Sequence, residues 1–279
     1  GVPVAIEQDL YWRHNRGNSY VPVVAHDSDA LATAPTFEAY FFDRIRPTME
    51  RALVENRRKL WPLIVLNLDF KTNERAHHQA ITALLRKYDR WLTTAPRTAT
   101  PEIAMPFTVG PLLVLNGADT TQRRDFHDAI AIGDKLRTFG AIPVPAAHGE
   151  TREERAHDLV QMSAADLIRK RRTNYERWVN FPWGAVEEGG QTRAGDFTSD
   201  DSVRLSSLVY RAHDIGLWIR FYTLDGFVPS EDMGFTASYN FGSRAAVVER
   251  WRAVTRARVD FVATDQYAEF AEQRRLWHR

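Results

Sequence analysis

The chain has 279 residues, of which 44% are hydrophobic and 26% charged, a balance that allows one full buried core. Lys and Arg number 37 against 36 for Asp and Glu, so no global field would hold the protein on nucleic acid or on an anionic membrane. With no cysteine, disulfides, thiolate metal sites and a cysteine nucleophile are excluded, and no apolar run approaches the ~18 residues of a membrane-spanning helix.

Short apolar runs rich in β-branched and aromatic residues, each bounded by turn or capping residues, predict buried strands. They start at Val2 (VPVAIEQDLYW), Pro62 (PLIVLNLDFK), Pro111 (PLLVLNG), Ala141 (AIPVPAA), Arg177 (RWVNFPWG), Gly216 (GLWIRFYTL) and Val259 (VDFVATD). A further extended piece, VPVVAHD from Val21, follows the first so closely that it is expected as its hairpin partner. Between the strands, helical spacing of apolar residues covers 36–59, 73–93, 121–139, 199–215, 243–258 and 265–277. Thr36 and Asn73 are expected N-caps, and Gly140 and Gly216 expected C-terminal stops.

Near-continuously apolar strands, each followed by a helix, predict an α/β fold with a parallel sheet covered by helices. No Gly-rich phosphate loop follows a strand, which favours a closed barrel over an open nucleotide-binding sheet. One domain over residues 1–279 is expected, a usual size for such a barrel. The polar, glycine-rich stretch 184–199 reads as a long loop, either a lid or a plain surface excursion.

Glu7 and Asp9 are two apart on an otherwise apolar strand, so both side chains point to one face. Two acids in register at a strand's end suit a hard cation, with a solvated face as the plainer alternative. In LNLDFK, residues Asn67, Asp69 and Lys71 share one parity while Leu66, Leu68 and Phe70 take the other. An acid and a base at a strand terminus suit oxyanion binding, and a buried ion pair is the bland reading. His26, after VPVVA, is a structural or a catalytic histidine on its own position alone. Arg220 and Tyr222 share a parity and would serve a ligand or the core equally well.

Taken together, Glu7-Gln8-Asp9, His26-Asp27 and Asp69-Phe70-Lys71 resemble the glycerophosphodiester phosphodiesterase and phospholipase C-like superfamily, including its sphingomyelinase D branch. The LDFKT run is closest to the phospholipase-like members, others having Glu where Asp69 stands. His213-Asp214-Ile215-Gly216 with LWIRFYTLD, and Thr264-Asp265 after VDFVA, extend the resemblance over most of the chain; the middle, from about Pro101 to Asn174, matches only in strand pattern.

The resemblance implies a (β/α)8 TIM barrel that cleaves a phosphodiester, of a phospholipid or a glycerophosphodiester, by metal-assisted acid/base chemistry. It implies Mg2+ or Ca2+ held by Glu7, Asp9 and Asp69, Lys71 at a phosphate oxygen and His26 as general acid or base. Arg220 and Tyr222 would then reach the phosphate or the leaving group, and a secreted or periplasmic setting is suggested. The family's first strand carries a second histidine before the E-x-D pair, so the sequence is expected to begin at the barrel's second strand; His14-Asn15 matches that motif in letters but falls after Asp9. A barrel that binds metal or phosphate without turnover is the alternative.

Overall fold

The run that holds the first two acids forms β1 (Val4–Asn15), and the expected hairpin partner is β2 (Ser19–Val24), antiparallel to it with Leu10 opposite Val24. The computed structural model describes residues 4–15, 19–188, 195–231 and 239–277. The chain divides into two compact units, residues 1–141 with 172–177 and residues 142–171 with 178–279. Parts of the expected first strand (residues 2–3), of the turn after it (16–18) and of the long loop (189–194) lie outside the described residues.

In the first unit the chain continues through α1 (Asp43–Glu55), β3 (Ile64–Phe70), α2 (Arg75–Lys87), β4 (Ala95–Pro96), β5 (Leu112–Asn116), α3 (Thr120–Arg123), β6 (Lys135–Leu136) and β7 (Phe139–Ala141). The sheet runs β7-β5-β3-β1-β2, with β1, β3, β5 and β7 parallel. Parity explains why β1 and β3 pair as they do. Leu10, Leu66 and Leu68 are at most 1% exposed, each worth about 1.5–3 kcal/mol of burial, while the alternate positions carry Glu7, Asp9, Asn67 and Asp69, with Gln8 the polar exception on the leucine face. A shift of one residue would exchange the two sets, so the register with Asp9 opposite Asp69 and Glu7 opposite Asn67 is strongly fixed.

In the second unit lie α4 (Arg152–Gln161), α5 (Ala164–Leu167), most of β8 (Glu176–Pro182), α6 (Ser199–Asp214), β9 (Trp218–Tyr222), α7 (Arg244–Arg256), β10 (Phe261–Val262) and α8 (Tyr267–Trp277). β8, β9 and β10 are parallel neighbours. Val179, Phe181, Ile219 and Phe221 pack with Leu205, Leu208, Val247 and Trp251 into one buried cluster. Gly216 ends α6 with φ +81, a left-handed conformation that glycine adopts without strain. Parallel strands in chain order alternating with helices make the fold α/β, with the succession of elements that a (β/α)8 barrel uses.

Several expected elements differ. Thr36 does cap, its Oγ1 accepting from Ala39 N, but the helix opens with a π turn over Glu38–Phe42 and stops at Asn56, whose φ is +49. Asn73 is no N-cap: that position belongs to Glu74, and the Asn73 amide oxygen instead accepts from Gln122 Nε2 at 2.9 Å. The helix expected over 121–139 covers only α3 and a π turn to Asp128, and beyond it Gly133 takes a turn conformation at φ +89 that a continued helix could not contain. Gly140 is a strand residue, and a Cβ there would meet the Tyr175 ring at 2.5 Å, so close packing rather than helix termination accounts for it. α4 escapes the apolar pattern altogether.

Candidate active site

β1 and β3 carry the candidate cluster on one sheet face at the carboxyl end of β3. Parity lines up Glu7, Asp9, Asn67, Asp69 and Lys71, and the parallel register closes the gap between the two strands. One carboxylate oxygen from each of Glu7, Asp9 and Asp69 lies within 4.8 Å of the others. The Lys71 ammonium bridges Asp9 Oδ1 at 2.9 Å and Asp69 Oδ2 at 2.7 Å. Asn67 Nδ2 donates to Glu7 Oε2 at 2.7 Å. All five expected residues of the two strands are therefore brought together.

The electrostatics follow from two carboxylates sharing one ammonium. Burial raises the pKa of Asp9 above the usual aspartate value and Asp69 beside it adds to the rise, while Lys71 opposes it. Burial also works against the Lys71 charge, but hydrogen bonds to Asp69 and Asp9 outweigh it and hold the ammonium above the ordinary lysine range. Lys71 is thus a firmly charged group and Asp9 a strained one. An all-oxygen donor set at this spacing suits a hard divalent cation, and the buried Asn67 Oδ1, which accepts no hydrogen bond among the described residues, adds an oxygen that a cation's surroundings would satisfy.

The segments around the cluster are pinned. Lys71 N donates to Leu10 O at 2.9 Å, and Trp12 N donates to Thr72 Oγ1 at 2.9 Å. Thr72 in turn contacts His77 Nδ1 through its hydroxyl at 3.1 Å. Ala25 N donates to Asp9 O at 3.2 Å, so the chain next to Asp9 leads directly into His26. That histidine is 71% exposed in its side chain, with Nδ1 3.0 Å from Asp27 Oδ1.

Arg220 and Tyr222 stand on β9, in the second unit. Arg220 is 8% exposed, donates to Asn180 Oδ1 at 2.9 Å and lies over the Tyr222 ring at 5.5 Å. Asn116 is fully buried and donates to Tyr175 Oη and Gln122 Oε1. Trp183 is core, donating to Glu187. His213 holds Asp260 at 2.9 Å, which also accepts from Ile219 N, an anchor for the start of β9.

His77 and His78 are neighbours on α2. Both are fully buried, their rings 6.3 Å apart and only 21° from parallel, and both meet the Phe70 ring edge-on. His78 Nδ1 lies 2.8 Å from Asp125 Oδ2, a partner 47 residues away that no local spacing reveals. Burial pushes His77 down to about 4, so it is a neutral packing group at ordinary pH.

No protein-family model matches the chain, and no curated protein does. Among solved structures it is similar to a glycerophosphoryl diester phosphodiesterase from Parabacteroides distasonis, at 14% identity and a TM-score of 0.41, over 98% of this chain and 75% of that one. It is also similar to the PaMucR phosphodiesterase in complex with c-di-GMP, at 11% identity and a TM-score of 0.31, over 92% of this chain and 84% of that one. At such distances the chemistry has to be read from the residues themselves.

Proposed function

We propose that the chain is a divalent-cation-dependent phosphoric diester hydrolase of the phospholipase C-like kind, acting on a phospholipid or a glycerophosphodiester. The observation that carries this reading is the convergence of Glu7, Asp9 and Asp69 oxygens within 4.8 Å of one another beside an ammonium held by two of them. Glu7, Asp9 and Asp69 would hold Mg2+ or Ca2+. When bound, the cation polarises the phosphodiester and offsets developing negative charge.

Lys71 supplies fixed positive charge to a phosphate oxygen, and its pairing with Asp9 and Asp69 keeps it protonated at the pH of the reaction. His26, exposed and one residue beyond the Ala25 amide that bonds to Asp9 O, exchanges a proton with solvent or with the leaving oxygen.

A second reading, a barrel that binds metal or phosphate without turnover, is favoured by the exposure of His26 and its pairing with Asp27 rather than with one of the clustered acids. Release of headgroup from a panel of phospholipids and glycerophosphodiesters, run with Mg2+, with Ca2+ and with chelator, separates the two. Cation-dependent release supports the hydrolase. Cation binding with no release from any member of the panel supports the binding module and rejects the enzyme.

A further inference from the structure

Asn67 is the odd residue of β3, an amide in a strand otherwise made of Ile, Val, Leu, Asp and Phe, although asparagine is disfavoured in strands. It sits opposite Glu7 in the parallel pairing, and its Nδ2 donates to Glu7 Oε2 at 2.7 Å. Its Oδ1 is buried without a hydrogen-bond partner among the described residues, a cost of roughly 1–3 kcal/mol that a merely space-filling residue would not impose.

We infer that Asn67 is the positioning residue of the cation site: its amide N–H fixes the plane of the Glu7 carboxylate so that the acid meets the ion in one orientation. The inference rests on the metal reading of the cluster. Its consequence is ion selectivity. Mg2+ demands near-ideal octahedral geometry from its ligands, whereas Ca2+ accepts irregular ones, so a freely rotating Glu7 penalises Mg2+ more. Partners behind ligands typically contribute 10- to 100-fold in metal affinity.

The test is calorimetric titration of Mg2+ and of Ca2+ into the parent protein, Asn67→Leu, Glu7→Gln and the double variant, with circular dichroism and melting on each. Asn67→Leu is expected to bind Mg2+ about 10-fold or more weakly, to lose less toward Ca2+, and to melt with the parent. In the Glu7→Gln background the same change should have little further effect, the mark of two residues acting through one interaction. Should Asn67→Leu fold poorly, Asn67→Val, which suits a strand, carries the same expectation. Unchanged Mg2+ affinity, or equal losses for both ions with early melting, would overturn the role of Asn67 alone. A parent protein that binds neither ion would remove the metal reading and this inference with it.

Discussion

Charge is handled in opposite ways at two places in the molecule. In the second unit, Glu187 and Arg250 are each 1% exposed and form a two-point pair, Nη2 to Oε1 at 2.6 Å and Nε to Oε2 at 2.9 Å. Trp183 donates to the same carboxylate, and Arg250 also donates to Gly195 O at 2.7 Å. Glu249, on the solvent side, also reaches Arg250 Nη1 at 3.3 Å, so the bonding groups of the buried pair are occupied. In the first unit, Asp9 and Asp69 share one ammonium, a third acid stands beside them, and side chains remain 23–43% exposed for Lys71, Asp9 and Asp69. Breaking a closed, buried pair strands a charge in the core, whereas a partly open cluster with more acids than its bridging lysine neutralises is what the proposed cation site requires.

The contrast makes graded predictions. The largest effect is expected from Arg250→Met, which strands the Glu187 carboxylate in the core; urea unfolding should lose about 3–5 kcal/mol, and a loss under ~1 kcal/mol would show the pair to be dispensable. Next comes acid. His77 stays neutral in the fold down to about 4, from 6.5 as its ordinary value, so between these values the unfolded chain binds the extra proton and stability falls as pH is lowered. The loss is on the order of 3 kcal/mol across the window, and none arises above it. Unfolding midpoints of the parent and His77→Phe at pH 7 and pH 4.5 check this: the variant should lose less.

Smaller still in free energy is His26→Ala. Activity should drop roughly 100-fold, the usual scale of a general acid or base, with the melting temperature unchanged because the side chain is exposed. A variant that melts early and keeps its turnover would make His26 structural. The smallest of these free-energy changes, the His26→Ala loss being one of activity, is expected for Lys71→Met, within about 1 kcal/mol of the parent by denaturant unfolding, in contrast to Arg250→Met. A loss as large as that of Arg250→Met would turn the open cluster into a second structural ion pair.

Much of this was legible in the sequence, for definite reasons. Strands announce themselves through runs such as LLVLN, and period two sets Glu7 with Asp9 and Asp69 with Lys71 on single faces. The meeting of the two pairs depends on the β1–β3 register across 60 residues, which follows from Leu10, Leu66 and Leu68 burying on the other face. What stayed hidden had no local signal. The Glu187–Arg250 pair spans 63 residues, and Ile130 and Ile132 prolong an apolar spacing past Asp128, where the helix has already ended. One signal was present and passed over: Thr151 and Glu154 form a capping box at the start of α4, readable as T-x-x-E.

The central claim, that Glu7, Asp9 and Asp69 form a site for a divalent cation, is tested most directly by calorimetric titration of Mg2+ and Ca2+ into the parent protein and into Asp9→Asn. That substitution keeps the size and shape of the side chain while removing one of the charges that the cluster concentrates. Saturable binding of one ion per chain in the parent, weakened by roughly 100-fold or more in Asp9→Asn, is the expected result. No heat of binding with the parent, or the same affinity in both proteins, would contradict it and leave the three acids as a solvated face held by Lys71.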